Sequence, residues 1–380
     1  MTDNIIKKWM ITPLMLFIWS LALLYGAGIG QVYDIYGRSK VLVIVCVIIH
    51  MVLTGVLKRI PFKAFLIVVY LLLISMITYF LNQWNMLDYI WLFGITYLIS
   101  FLPIEDGPVR MISLMYGALG MAVLYIWNYG SAFRGWNENS LAMIAFFSFS
   151  VMIVSFTKTK QLTVIFILVG YIFLYFVWSE SLNSRSGTLF AIILFLGIWR
   201  IIPFHKLLSK KNMILLLSLL PLIIAVFIVL IRNQEFVKDL DSWSRMTFQK
   251  PIFNGRDTLW YEGFLRWLQS PLIGNGNLSA ANWHNSAVTM LVGGGAIGYC
   301  IWIFVIHNIL KKGIDFLDDY IVYGLMLGFI CIWLQQTVEL GLVAGQANAI
   351  PYAMLGLLIG RVRTLEREDE NNNINYCTSI

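Results

Sequence analysis

Charge is scarce in this 380-residue chain. Asp, Glu, Lys and Arg make up 12% of it, whereas roughly a quarter of an ordinary soluble domain is charged. With 59% hydrophobic residues and a mean hydropathy of +0.77, that shortage excludes water as the main solvent. Cysteine is equally sparse: Cys46, Cys300 and Cys331 fall in apolar runs and Cys377 lies near the end. No two stand at ligand spacing, so neither a disulfide framework nor a metal cluster is expected. Acidic residues are the rarer sign, 20 against 27 basic, for a net charge of +7. Lys and Arg sit mostly in short connectors between apolar runs, which reads as membrane topology and not as a nucleic-acid surface.

What the chain has instead is long apolar stretches. Its length alone would allow two or three soluble domains, but runs of roughly 17–22 apolar residues recur too regularly for buried core helices. They predict an all-α polytopic membrane protein with about twelve spans, at 10–30, 41–57, 62–81, 86–102, 109–127, 140–156, 162–179, 187–204, 213–231, 285–308, 320–338 and 342–360. Lys7 and Lys8 before the first run resemble a signal peptide, but without a convincing cleavage site the run reads as a retained first helix.

Basic residues set the expected orientation. With the N-terminus inside, the inner connectors hold seventeen Lys and Arg, including Lys58, Arg110, Lys158, Lys160, Arg200, Lys210, Lys311 and Arg361. The short outer connectors hold only Arg38, Lys40, Arg134 and Arg185. Cytoplasmic connectors are the ones enriched in such residues, so both termini are expected in the cytoplasm. Three parts follow: helices over 1–231, one large extracytoplasmic loop over 232–284, and further helices over 285–360. A charged, Asn-rich tail over 361–380 reads as disordered. In the loop, Pro251, Pro271, Gly255, Gly274 and Gly276 mark turns around one helix, Asp257 to Gln269. Arg256, Trp260, Gly263 and Trp267 share its face.

A loop this long is usually functional or disordered, and this one is too rich in Trp, Arg and Gly for simple disorder. Arg256 is followed by Trp260, then Pro271-Leu-Ile-Gly-Asn-Gly276, then His284-Asn285 heading a helix, then Gly293-Gly-Gly-Ala-Ile-Gly298. Upstream, Ser184-Arg185-Ser186-Gly187 opens an apolar helix. In order and spacing these elements resemble the O-antigen ligase and polymerase superfamily, over the region from Ser184 to Gly298.

The resemblance implies a metal-independent, cofactor-free, inverting glycosyltransferase in the bacterial cytoplasmic membrane. Its donor would be an undecaprenyl-pyrophosphate-linked glycan. Membrane lipid, a chain-length regulator and a flippase of the same pathway are the other implied partners; nucleic acid is not. Guanidinium groups bind diphosphate in bidentate fashion without losing their charge, which suits Arg185, Arg256 and Arg266 to the donor. Electrostatic stabilisation of that leaving group can replace a general acid. Imidazole titrates near neutral pH, which makes His284 the candidate base. Asn285, Trp260 and Glu339 are candidate glycan contacts.

Each residue also has a plainer reading. Arg256 and Arg266 could pair with Asp257 and Glu262, the latter at helical surface spacing from Arg266. His284 could be a helix-end residue, and Arg185 a snorkelling anchor. Glu339 could bind sugar or simply reach water beyond its span. His50 reads as an interhelical hydrogen-bond partner. Gln346 and Asn348 before Pro351 suggest a break lining a cavity. Trp84, Trp127, Trp136 and Trp283 fit an aromatic belt, and Asn277 to Ser279 form a weak glycosylation sequon. Within the resemblance, the composition and compact length favour a polymerase joining repeat units over a ligase attaching finished chains to lipid A core or protein. A twelve-helix transporter or flippase is the more distant alternative. Tyr33 to Lys40 resembles the Gly-Arg loop of major facilitators, but sits at the wrong place in the topology. No internal repeat of the transporter kind is evident.

Overall fold

In hydrocarbon no water satisfies backbone groups, so a spanning segment must close its own hydrogen bonds, and a helix does so within itself. The computed structural model obeys this constraint: it is 81% helical, with no strand among the described residues. It describes residues 9, 11–17, 48–55, 87–129, 138–177, 184–201, 203–275, 283–339, 342–343 and 349–378. The predicted span at 62–81 and most of those at 10–30 and 41–57 fall outside these. So do Gln346, Asn348, Trp84, Trp136 and the sequon at Asn277.

From residue 87 onward the helices are α1 (Leu87–Ile99), α2 (Asp106–Tyr129), α3 (Glu138–Met152), α4 (Lys160–Val177), α5 (Arg185–Ile198), α6 (Phe204–Leu208) and α7 (Lys211–Ile231). There follow α8 (Glu235–Phe248), α9 (Arg256–Leu268), α10 (Ser286–Ile314), α11 (Tyr320–Gln335) and α12 (Ala349–Thr378). Every predicted span from 86–102 onward thus carries a helix. Among the described residues four segments, Asp106–Ile126, Lys160–Val177, Asn212–Ile231 and Ser286–Ile314, are long and apolar enough to cross a membrane. The chain is a helical membrane protein. The loop helix expected at Asp257 is α9, displaced by one residue. The tail expected to be disordered instead continues α12 to Thr378. Leu, Glu and Arg are strong helix formers, and extending an existing helix avoids the cost of a new nucleus.

Packing runs from an enclosed centre to an apolar exterior. Residues 141–156 on and after α3 are buried, as is α11 along almost its whole length. On α11, Gly324 and Gly328 form a small-xxx-small pair against α3 and the 3-10 turn (Ile153–Phe156) that follows it: a methyl at Gly324 would lie 2.9 Å from the Cα of Val154, and one at Gly328 would strike the carbonyl of Ser150. Without a hydrophobic drive between helices in lipid, such close backbone approach is what holds them together. Leu215, Phe227 and Leu230 on α7, like Val164 and Leu168 on α4, face outward, where lipid is the matching solvent.

Pro221 inside α7 has no N–H for the carbonyl of Leu217, one turn earlier. Trp333 Nε1 on α11 donates to that carbonyl at 2.8 Å. The bond lost to proline is therefore remade across a helix interface, tying α7 to the centre. The bundle has two ends. Tyr323 OH donates to Gly197 O at 2.7 Å and Thr157 Oγ1 to Tyr320 O at 2.8 Å, so the C-terminus of α5 meets the N-terminus of α11. At the opposite end Ser286 N donates to Gln336 O at 3.1 Å. That second end carries the candidate site.

Candidate active site

The glycine motifs form a backbone joint. Gly295 breaks α10 with φ 64° and ψ −172°, a conformation open in practice only to glycine. A break orphans helical donors and acceptors, and the segment after α9 takes them up. Ala296 N donates to Pro271 O at 2.8 Å, Ile297 N to Leu272 O at 3.1 Å, and Asn275 N to Val292 O at 2.9 Å. Gly274, also left-handed at φ 69°, lies against Gly295 so closely that a methyl on either would collide with the other's backbone. Pro271 to Gly274 and Gly293 to Gly295 are thus two halves of one contact, which anchors the loop to the helix.

Helix α9 docks on the first half of α10. Its buried face is the one expected from spacing: Trp260 and Gly263 are buried, Arg256 and Trp267 half-buried, and Tyr261, Leu265 and Leu268 exposed. Trp260 Nε1 donates to Trp283 O at 2.7 Å and Trp267 Nε1 to Pro271 O at 2.9 Å. A methyl at Gly263 would lie 2.6 Å from Val288 Cγ1, so only glycine lets the helices approach this closely. Asn254 and Gly255, both at positive φ, turn the chain into α9 and place Arg256 at its first position.

His284 is held between these anchors in the left-handed region, at φ 47°, where a non-glycine residue is uncommon and costs energy. Asn285 next to it caps α10: its Oδ1 accepts from Val288 N at 2.9 Å. Its Nδ2 donates to Pro221 O at 3.1 Å and Thr337 O at 2.8 Å. On the other side Ser184 caps α5, its Oγ accepting from Gly187 N at 3.2 Å. This explains the Ser-Arg-Ser-Gly element and sets Arg185 in the first turn of α5, where the helix dipole disfavours a cation.

Glu339 is the centre of the charges. Arg256 Nη2 donates to its Oε1 at 3.3 Å, and His284 Nδ1 lies 3.8 Å from its Oε2. The carboxylate side chain is 7% exposed, against 19% for Arg256 and 30% for His284. Burial pulls the Arg256 guanidinium below its ordinary pKa; Glu339 opposes that, and the positive charge of Arg185 adds to it. Arg185 reaches the cluster from α5, its Nη1 donating to Ser244 Oγ at 3.4 Å and its Nη2 to Pro251 O at 3.2 Å.

The structure therefore gathers Arg185, Arg256, His284 and Glu339 at one end of the bundle, and Glu339 is buried there instead of reaching water. Arg266 is exposed on α9, and among the described residues no ion pair joins it to Glu262 or to the cluster. Asn285 is fully buried with its amide committed to Val288, Pro221 and Thr337, and Trp260 is 1% exposed. Neither presents a free polar atom to a glycan, because each closes a gap between helices. Ser244, buried on α8, was missed: its Oγ donates to Lys250 O at 2.8 Å and accepts from Arg185. The signal for α8 was present in Phe236, Leu240 and Trp243 at helical spacing. Compared with family models, curated proteins and solved structures, the chain matches none.

Proposed function

We propose that the chain is a glycosyltransferase that polymerises lipid-pyrophosphate-linked oligosaccharide repeat units at the outer face of a bacterial cytoplasmic membrane. The observation that carries this reading is the convergence of the Arg256 guanidinium and a strained, partly exposed imidazole on one buried carboxylate, with the Arg185 guanidinium close enough to act on Arg256. In the proposed reaction, the diphosphate of an undecaprenyl-type donor lies against Arg185 and Arg256. The first turn of α5 adds backbone donors to the same anion. A hydroxyl of the acceptor sugar attacks the anomeric carbon; the new C–O bond forms as the bond to the diphosphate oxygen breaks, and the electron pair leaves on the diphosphate. His284 Nε2 takes the hydroxyl proton. Its Nδ1 faces Glu339, which stabilises the resulting imidazolium as a carboxylate does in other His-carboxylate pairs. A single displacement inverts the anomeric centre.

The charge distribution supports the orientation. Lys158, Lys160, Arg200, Lys206, Lys210, Lys311 and Lys312 lie at or near the end of the bundle away from His284, the end that the positive-inside rule assigns to the cytoplasm. The test is glycan banding from a deletion strain complemented with His284→Ala or Arg256→Ala. His284→Ala should be expressed normally and Arg256→Ala, which leaves Glu339 buried without its partner, at a lower level; both should yield single repeat units on the lipid core. Wild-type banding from both would refute the site. Complete loss of added glycan, without the single-unit band, would favour the ligase reading.

A further inference from the structure

A cavity of about 620 Å³ opens at the end of the bundle away from His284, where α4 begins and α5 ends. Its rim carries Lys158, Lys160 and Arg200, and Thr157 and Thr163 add hydroxyls. Lys158 is already engaged, its Nζ 3.0 Å from Asp106 Oδ2. Lys160 and Arg200 are exposed, and among the described residues neither joins an ion pair. Two uncompensated cations beside a cavity select an anion.

The wall says which kind. Below Lys160 the same face of α4 continues through Val164, Leu168, Tyr171 and Tyr175, at successive helical turns, and all four side chains are exposed. Val164, Ile167, Ile198 and Trp199 carry the apolar surface up to the rim. A charged rim that runs directly into an outward-facing apolar stripe matches an amphiphile, its head at Lys160 and Arg200 and its tail along α4. A free phosphate would use only the rim. Arg200 sits just beyond the C-terminus of α5 at φ 56°, the position where glycine is the usual residue. Arginine there incurs backbone strain that glycine would avoid, and its guanidinium lies over the ring of Tyr323, 5.4 Å from the centroid.

We propose that this cavity binds the headgroup phosphate of an anionic phospholipid, with Lys160 and Arg200 as its cationic contacts. Basic pockets between membrane helices on the cytoplasmic side recognise such headgroups. The proposal is independent of the chemistry at His284.

The experiment uses the purified full chain in mild detergent, with bound lipid counted by native mass spectrometry during titration with phosphatidylglycerol or phosphatidylcholine. Phosphatidylglycerol should bind and raise the Tm, and phosphatidylcholine should do neither. Lys160→Gln and Arg200→Gly should each weaken phosphatidylglycerol binding roughly fivefold, the effect of one basic residue at an anionic surface. Arg200→Gly is the decisive variant, because it removes the cation while relieving the backbone: its lipid-free Tm should equal or exceed wild type. Equal phosphatidylglycerol binding by wild type and both variants would overturn the proposal. So would equal binding of the zwitterionic lipid, or displacement of phosphatidylglycerol by millimolar inorganic phosphate, which would mark a site for soluble anions.

Discussion

Arg256 and Glu339, 83 positions apart in sequence, meet at 3.3 Å in a nearly enclosed space, with His284 on the carboxylate's other oxygen. Removing one partner of such a pair leaves the other charge buried and uncompensated, which typically costs about 3–5 kcal/mol. Glu339→Ala should therefore lower stability by about 3 kcal/mol, the low end of that range, since Arg256 keeps some contact with water. The double variant Arg256→Gln/Glu339→Gln should lose less than the two single changes added together. Thermal unfolding of all variants in detergent checks this; strict additivity would show that the pair is not coupled.

The joint between the loop and α10 gives a sharper prediction. Gly295→Ala would force a side chain into the left-handed region, at roughly 1–2 kcal/mol. It would also drive a methyl into the backbone of Leu272 and Gly274, adding about 1–3 kcal/mol of overpacking. Gly274→Ala should behave alike. Limited proteolysis between α9 and α10 should accelerate in both; protection equal to wild type would rule out the joint.

Asn285 separates scaffold from chemistry. Losing a helix cap costs roughly 1 kcal/mol, and leaving buried partners unsatisfied adds about 1–3 kcal/mol. Asn285→Ala should thus lower the Tm and the yield of folded protein. Product per folded molecule should fall far less than in His284→Ala. Comparable loss per folded molecule in the two variants would restore Asn285 as a glycan contact.

Asp241 predicts an acid sensitivity in the loop. Its carboxyl is held below the usual carboxylate range by Arg245 and then by the N–H of Ile252, which it accepts at 2.9 Å. The folded pKa is depressed, so the stabilisation is present above the unfolded value near 3.8 and disappears as pH falls through the folded one. Hydrogen exchange at Ile252, corrected for intrinsic rate, should accelerate only below about pH 4. In Asp241→Asn it should already be faster at neutral pH, and a pH-independent protection in wild type would contradict the assignment.

The helices of the predicted spans, α1 to α5, α7 and α10 to α12, were legible along the chain because span-length apolar runs are a local property: each turn reports its solvent through its own side chains. The short α6 and the amphipathic α8 were not, since neither is a span-length apolar run. The buried face of α9 was legible for the same reason, its period being 3.6 residues. Local reading also found the glycine motifs and the Arg and His candidates, but not how they are used. Gly274 and Gly295 prove to be one contact, Trp260 and Asn285 fill and cap an interface, and Trp333 replaces the hydrogen bond that Pro221 removes from α7. Which oxygen Arg256 meets, and whether Glu339 lies in water or beneath the loop, depends on segments far apart in sequence. Close packing at Gly263 and at the Gly274–Gly295 joint brings them together. Hydropathy specifies what each residue prefers to face; only the packed bundle decides which partner is there.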